Sequence, residues 1–281
     1  MRSLHHFTFL LALFMATCSF AQQIEGIATY KSQRKFDVEL DSTATDAMKE
    51  QIMAMLKKQS QKEFTLEFNG KESLYKQEIQ LDDNNTFESG GMKIVVAGSG
   101  GNDALYKNLA EDRYVNQNEM FGKQFLIKDA LEKRDWEMTK ETKNIGEYTC
   151  FKATYKDTRT VLIAESDSET GESTDSKSEQ EVLVTAWYTP QIPVQHGPAN
   201  YGGLPGLILE VNDGTESILC SKIVLNPDNG VSIKEPSKGK EVTNAEYREI
   251  MEAKMKEMNE QFQGDGRKNG GSNSFSIKIG G

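Results

Sequence analysis

The sequence predicts an α+β fold: a curved, mainly antiparallel, half-barrel-like β-sheet with two amphipathic helices packed on it. Short alternating runs joined by tight turns recur between Ile24 and Leu225. That is the pattern of antiparallel pairing, and the strand–helix rhythm of a parallel sheet is absent. The period switches near the N-terminus, where Met48, Ile52, Met55, Leu56 and Gln59 fall at helical spacing within Asp41–Gln59. It switches again near the C-terminus. There Thr243-Asn-Ala-Glu246 is a capping box, followed by a stripe of Tyr247, Ile250, Met251, Met255, Met258 and Phe262 that Gly264 stops.

Ile24 to Lys35 alternates as a first strand, before the Asp41–Gln59 helix. Phe64, Leu66 and Phe68 then share one face of a strand. Asn69-Gly70 offers a primed hairpin turn into the partner run Ser73–Ile79. Short strands follow around Tyr106, Arg113–Val115 and Gln124–Ile127. Trp136–Met138 and Gly146–Tyr155 form a hairpin, with Phe151, Ala153 and Tyr155 on one side and Cys150 and Lys152 on the other. Arg159–Ala164 and the strongly apolar Glu181–Thr189 are further strands, and Ser217–Leu225 is the last clear one. Between them Ser166–Gln180 is a Ser/Thr/Asp/Glu run with too little apolar surface to order itself, and it reads as a mobile acidic loop spanning about residues 165–181. The tail, residues 264–281, is rich in Gly and Asn and reads as disordered.

Residues 1–21 read as a secretory signal. Arg2 precedes a ten-residue apolar core, Phe7–Ala16, and Ser19-Phe20-Ala21 supplies a cut site before Gln22. Acylation at Cys18 is the rival reading. No later run is apolar for long enough to form a transmembrane segment, which needs about 20 residues. Residues 22–263 are expected to form a single domain in the periplasm or outside the cell.

The chain carries 33 basic and 43 acidic residues, a net of −10, and loss of Arg2 on cleavage makes it −11. No basic patch stands out, which argues against a nucleic-acid partner. Cleavage leaves Cys150 and Cys220. A disulfide closing roughly 70 residues would stabilise by on the order of 4 kcal/mol; two thiols packed as small hydrophobes are the alternative. The absence of a Cys-x-x-Cys pair, and a single histidine after residue 21, leave no expected metal site or other cofactor.

The most distinctive stretch is His196-Gly-Pro-Ala-Asn-Tyr201-Gly-Gly-Leu-Pro-Gly-Leu-Ile-Leu-Glu-Val211. Pro205 followed by Gly206 favours a type II turn, leading into a run with Leu207, Leu209 and Val211 on one face. Its structural reading is a rigid turn that threads a buried strand into the sheet. Its functional reading is a glycine-lined pocket wall, with His196, Asn200 and Tyr201 at the rim and Gly202, Gly203, Pro205 and Gly206 in the wall. The string Gly203–Ile208 resembles the signature of the GLPGLI family of exported bacterial proteins. The run Ile145–Ala153 and Ala186-Trp187-Tyr188 also resemble the pattern that precedes it there. The resemblance implies gene neighbourhoods containing TonB-dependent outer-membrane receptors, and it brings no catalytic residues.

His196 is the one candidate imidazole base, and no Gly-x-Ser-x-Gly or His-Glu-x-x-His motif accompanies it. The Ala97–Gly101 run lacks the Gly-Lys-Ser/Thr of a phosphate loop. The acidic loop lacks calcium-loop spacing. The expectation is therefore a non-enzymatic envelope binding or accessory protein for a peptide, a lipid or a segment of an outer-membrane transporter. The alternative is an envelope hydrolase built around His196.

Overall fold

The computed structural model describes residues 24–35, 37–39, 61–78, 86–89, 92–95, 103–166, 173–266 and 276–278, with Glu50 and Ala54. The strands in chain order are β1 (Gly26–Arg34), β2 (Asp37–Glu39), β3 (Gln61–Phe68), β4 (Glu72–Gln77), β5 (Thr86–Ser89), β6 (Met92–Val95), β7 (Ala104–Asn108) and β8 (Arg113–Met120). They continue with β9 (Lys123–Ala130), β10 (Glu137–Ile145), β11 (Tyr148–Ser166), β12 (Ser173–Thr189), β13 (Leu207–Asn212), β14 (Glu216–Leu225) and β15 (Lys240–Val242). Helix α1 (Asn244–Gly266) and β16 (Ser276–Lys278) close the described chain.

Twelve strands make one open sheet in the order β10-β11-β12-β13-β14-β1-β3-β4-β7-β8-β9-β15. Every pairing in it is antiparallel except β15 with β9. β1 joins the two halves, pairing with β14 on one side and β3 on the other. Two small pairs, β16 with β2 and β5 with β6, lie apart from it.

This overturns the α+β expectation of a half-barrel-like sheet carrying two amphipathic helices. The architecture is a mostly β, open, mixed sheet with one helix among the described residues. Of the expected Asp41–Gln59 helix only Glu50 and Ala54, both helical, are described; the rest lies outside the described residues, as does the signal segment. The physical reason lies in what covers the sheet. Helix α1 contributes Tyr247 and Ile250 against the small cluster of Phe125, Ile127 and Val242 at one end. The main core instead receives the irregular segment between β12 and β13, through Ile192, Val194, Tyr201 and Leu204. A loop does what a helix was expected to do.

The capping box forms as read: Glu246 N donates to Thr243 Oγ1 at 3.2 Å and Thr243 N donates to Glu246 Oε2 at 2.7 Å. The helix runs past Gly264 to Gly266. The β3–β4 turn sits one residue later than expected. Asn69 Oδ1 accepts from the amides of Lys71 and Glu72, each at 2.8 Å, so Asn69 caps the turn rather than occupying its centre.

Residues at the middle of the sheet are covered on both faces. Ser73, Tyr75 and Lys107 alternate with Leu74 and Tyr106, and all five are buried. Leu74, Tyr106, Val115 and Leu126 form a second cluster that Ile233 covers. β11 and β12 pair continuously from Phe151↔Tyr188 to Ser166↔Ser173, so the expected acidic loop contributes residues 173–180 to β12. Pairing across a hairpin satisfies backbone groups without burial, which composition alone does not reveal. Similarly, the expected disordered tail contributes β16.

Candidate functional site

The segment from Pro190 to Gly206 folds back on itself between β12 and β13. Leu207 N donates to Ile192 O at 2.9 Å, Ile208 N to His196 O at 3.1 Å and Gly203 N to Gln195 O at 3.0 Å. The tip is not a type II turn. Gly206 N donates to Leu204 O at 2.8 Å, closing a three-residue turn around Pro205. Positive φ falls at Gly203, +83°, and not at Gly206. Gly206 is required for a different reason: a Cβ there would lie 2.2 Å from the Thr189 carbonyl oxygen.

A buried irregular loop must have its carbonyls satisfied. Three side chains from elsewhere do this and a fourth holds β13 just beyond the loop, and sequence reasoning missed all of them. The Lys107 ammonium on β7 donates to the carbonyls of Gly197 at 2.9 Å, Ala199 at 2.8 Å and Tyr201 at 2.9 Å. Arg134 Nη1 donates to Asn200 O at 2.8 Å, and its guanidinium lies 5.3 Å from the Tyr201 ring centre and 5.7 Å from that of Tyr155. Trp136 Nε1 donates to Gly202 O at 3.0 Å. Tyr30 OH donates to Ile208 O at 2.7 Å. Nothing local in Leu105-Tyr-Lys-Asn108 marks Lys107 as buried; only the loop that reaches it does.

Burial first, then the Arg134 charge, pull Lys107 down to about 7. Its hydrogen bonds oppose that fall. An ammonium has three protons for three acceptors, whereas the neutral amine would leave one carbonyl orphaned. We therefore assign Lys107 as charged at neutral pH.

The seven residues expected at the site separate. Asn200, Gly203 and Pro205 face solvent, Gly202 is half-buried, and His196, Tyr201 and Gly206 point inward or are enclosed. The Tyr201 hydroxyl donates to Asp213 Oδ2 at 3.3 Å. His196 is 0% exposed and neither ring nitrogen makes a hydrogen bond among the described residues. Ser73 Oγ and Tyr75 OH, also buried, share that condition. Burial, then the nearby Lys107 charge, drive His196 down to about 3; the Asn69 backbone opposes this without reaching hydrogen-bonding geometry. His196 is thus neutral at neutral pH.

Between its ordinary value near 6.5 and about 3, the unfolded chain binds a proton at His196 that the folded chain does not. Stability therefore falls as pH falls through that window. Replacing His196 with Leu should leave urea stability at pH 7 within about 1 kcal/mol, because an unpaired buried polar ring is exchanged for an apolar side chain. The same variant should lose less stability than the parent between pH 7 and pH 4. Parallel losses in the two proteins would show that another group is responsible.

Ser73 and Lys107 are register partners on β4 and β7, and the Lys107 charge acts on His196. The residue types suggest a nucleophile and a base, but the geometry does not serve hydrolysis. All three are buried and the Lys107 protons are engaged by the loop. Cys150 and Cys220, for which a disulfide and two packed thiols both stood open, are free and buried. Burial raises Cys150 to about 11 and Cys220 to about 12, which leaves them as unreactive thiols at neutral pH. Among the described residues there is no group of His, Cys, Asp and Glu able to hold a metal ion.

A concavity lies beside the loop. A cavity of about 460 Å³ opens between Arg134–Met138 on one wall and Gly203, Leu204 and Pro205 on the other. Met138 is 63% exposed there. Two of the expected residues, Gly203 and Pro205, line it.

Residues 136–210 match a family described as "Protein of unknown function (Porph_ging)". The matched stretch covers the whole loop and the cavity walls from Trp136 onward. No curated protein matches the chain. Two solved structures of PNGF-II, in space groups C2 and P21, are similar at 14% and 13% identity, each with a TM-score of 0.45 and covering 81% of this chain. The chain spans about a third of those proteins, 32% and 33%. Among the described residues no helix is long and apolar enough to cross a membrane.

Proposed function

We propose that this chain is an exported, non-enzymatic binding or accessory protein of the bacterial envelope, and that it engages its partner in the groove between Arg134–Met138 and the signature turn. The observation that carries this reading is the rigidity of the groove's walls. Pro205 and Leu204 are fixed by the loop's own hydrogen bonds, while Trp136 and Arg134 are tied to the same loop from the opposite side. A preformed, partly apolar concavity with polar groups placed along its walls is what recognition sites share. The export reading rests on the leader pattern of residues 1–21 and on the resemblance of Gly203–Ile208 to the GLPGLI signature. The partner classes are a peptide, a lipid or a segment of an outer-membrane transporter.

Met138→Asp tests this. The side chain is largely exposed, so unfolding stability should change by no more than about 0.5 kcal/mol. Recovery of the native partner after crosslinking in the envelope should fall at least tenfold, about 1.4 kcal/mol. A control at Leu225, exposed on β14 and away from the groove, should leave recovery unchanged. Equal recovery from the Met138 variant would remove the groove as the binding site.

A further inference from the structure

We propose that the segment Pro190–Gly206 is an acid-sensitive strap, which lifts off the sheet, with β12 and β13 still paired, when His196 takes up a proton. The ring is enclosed: His196 is 0% exposed, and neither nitrogen has a hydrogen-bond partner among the described residues. Its backbone is pinned on two sides. Ile208 N donates to His196 O at 3.1 Å, and His196 bridges Gly202 where the strap folds back. The next residue leaves no slack, since a Cβ at Gly197 would lie 2.9 Å from two side-chain carbons of Ile208. The Lys107 ammonium is fastened at 2.9 Å to the Gly197 carbonyl, that of the residue after His196. A protonated ring would be a second cation in the same enclosure.

The titratable groups around the strap do not offset that cation. The charge that acts on the ring is that of Lys107, from β7, and it opposes protonation. Asp213, the buried carboxylate beside the strap, accepts from the Tyr201 hydroxyl at 3.3 Å and from the amides of Thr215 at 3.0 Å and Glu216 at 2.7 Å. Arg134 is a further cation, and Tyr30 directs its hydroxyl to Ile208 O. Tyr75, on β4, is a neutral ring stacked on Phe64 with centres 4.8 Å apart. Acid therefore favours the state in which water reaches the imidazole. That state is local, because Trp187↔Glu210 and Val211↔Ile218 hold β12, β13 and β14 together outside the strap. Gly203, Leu204 and Pro205 form one wall of the cavity, so lifting the strap removes that wall. Its consequence for a partner rests on the reading that the groove is the binding site.

The experiment is amide hydrogen exchange at pH 6, 5 and 4 on the full chain without its leader, as the parent, His196→Leu and His196→Gln. Tyr201, Gly203, Leu207 and Ile208 report on the strap, since their amides bond to carbonyls within it. The amides of β1, paired on both sides, are the reference. The strap amides should be less protected than those of β1 at every pH. An open state that binds the proton at the ordinary value near 6.5, against about 3 when closed, opens about tenfold more per pH unit of acidification. Protection of the strap in the parent should therefore fall at least tenfold further between pH 6 and pH 4 than in either variant. Glutamine keeps a polar side chain that takes up no proton, so it separates charge from packing. Equal protection of strap and β1 would overturn the proposal, because the strap would then open only with the whole sheet. Equal falls in parent and variants would assign the sensitivity to another group. Constant strap protection in the parent would overturn it whatever the variants do. Failure of the Met138 test above would leave these results standing and remove only their consequence for a partner.

Discussion

Lys107→Met should destabilise the protein by about 3–5 kcal/mol, the cost of breaking one side of a buried charged network. The side chain is 3% exposed and donates to three loop carbonyls. Methionine, one atom shorter, keeps the apolar stem and removes the ammonium, so packing changes little and the effect reports the loss of the charge and its hydrogen bonds. Each buried carbonyl left without a donor costs about 1–3 kcal/mol in isolation. The three share one loop, which can relax, so the sum falls short of three full penalties. Arginine should not rescue, because a planar fork cannot point three protons at carbonyls converging on one atom. The lost stability should appear as a lower urea midpoint, and hydrogen exchange should accelerate first in residues 190–206. A change below about 1 kcal/mol, with exchange there unaltered, would mean that the loop holds its place without Lys107.

The same network explains what the sequence could not disclose about the site. A Gly/Pro-rich loop with one histidine reads as a solvated rim, because nothing within His196–Gly206 reveals which side chains satisfy the carbonyls of Gly197 and Ala199 to Gly202. The donors come from Lys107, Arg134 and Trp136, far away in sequence and brought near by sheet order. Local chemistry was legible. The Thr243–Glu246 box formed, the Leu66 and Phe68 face is buried, and the apolar run Glu181–Thr189 lies in a strand paired on both sides, third from the β10 edge. Helix docking was not, since the methionine stripe on α1 states that a face is apolar and not what lies opposite. Nor was the turn at Pro205. Pro-Gly is compatible with several turns, and the choice was made by the closeness of β12.

That closeness gives the second large effect. Gly206→Ala should cost about 3 kcal/mol or more, at the upper end of what overpacking does. The added Cβ would sit 2.2 Å from the Thr189 carbonyl oxygen, 2.6 Å from its carbon and 2.9 Å from Pro190 N. All three are backbone atoms, so no side chain can swing aside. Thr189 is the last residue of β12 and is paired with Leu207, the first of β13. Relief therefore requires the two strands to part where the loop is anchored. Gly203→Ala provides the contrast. Its φ of +83° strains an alanine, but a Cβ would meet nothing within 4 Å, so the expected cost is about 1–2 kcal/mol. Had Gly206 been needed for a type II turn, the two variants would cost alike. Comparing their urea midpoints therefore separates a glycine kept for close approach from one kept for its backbone angle. A Gly206→Ala loss no larger than that of Gly203→Ala would show that β12 and the signature turn are not in contact as described.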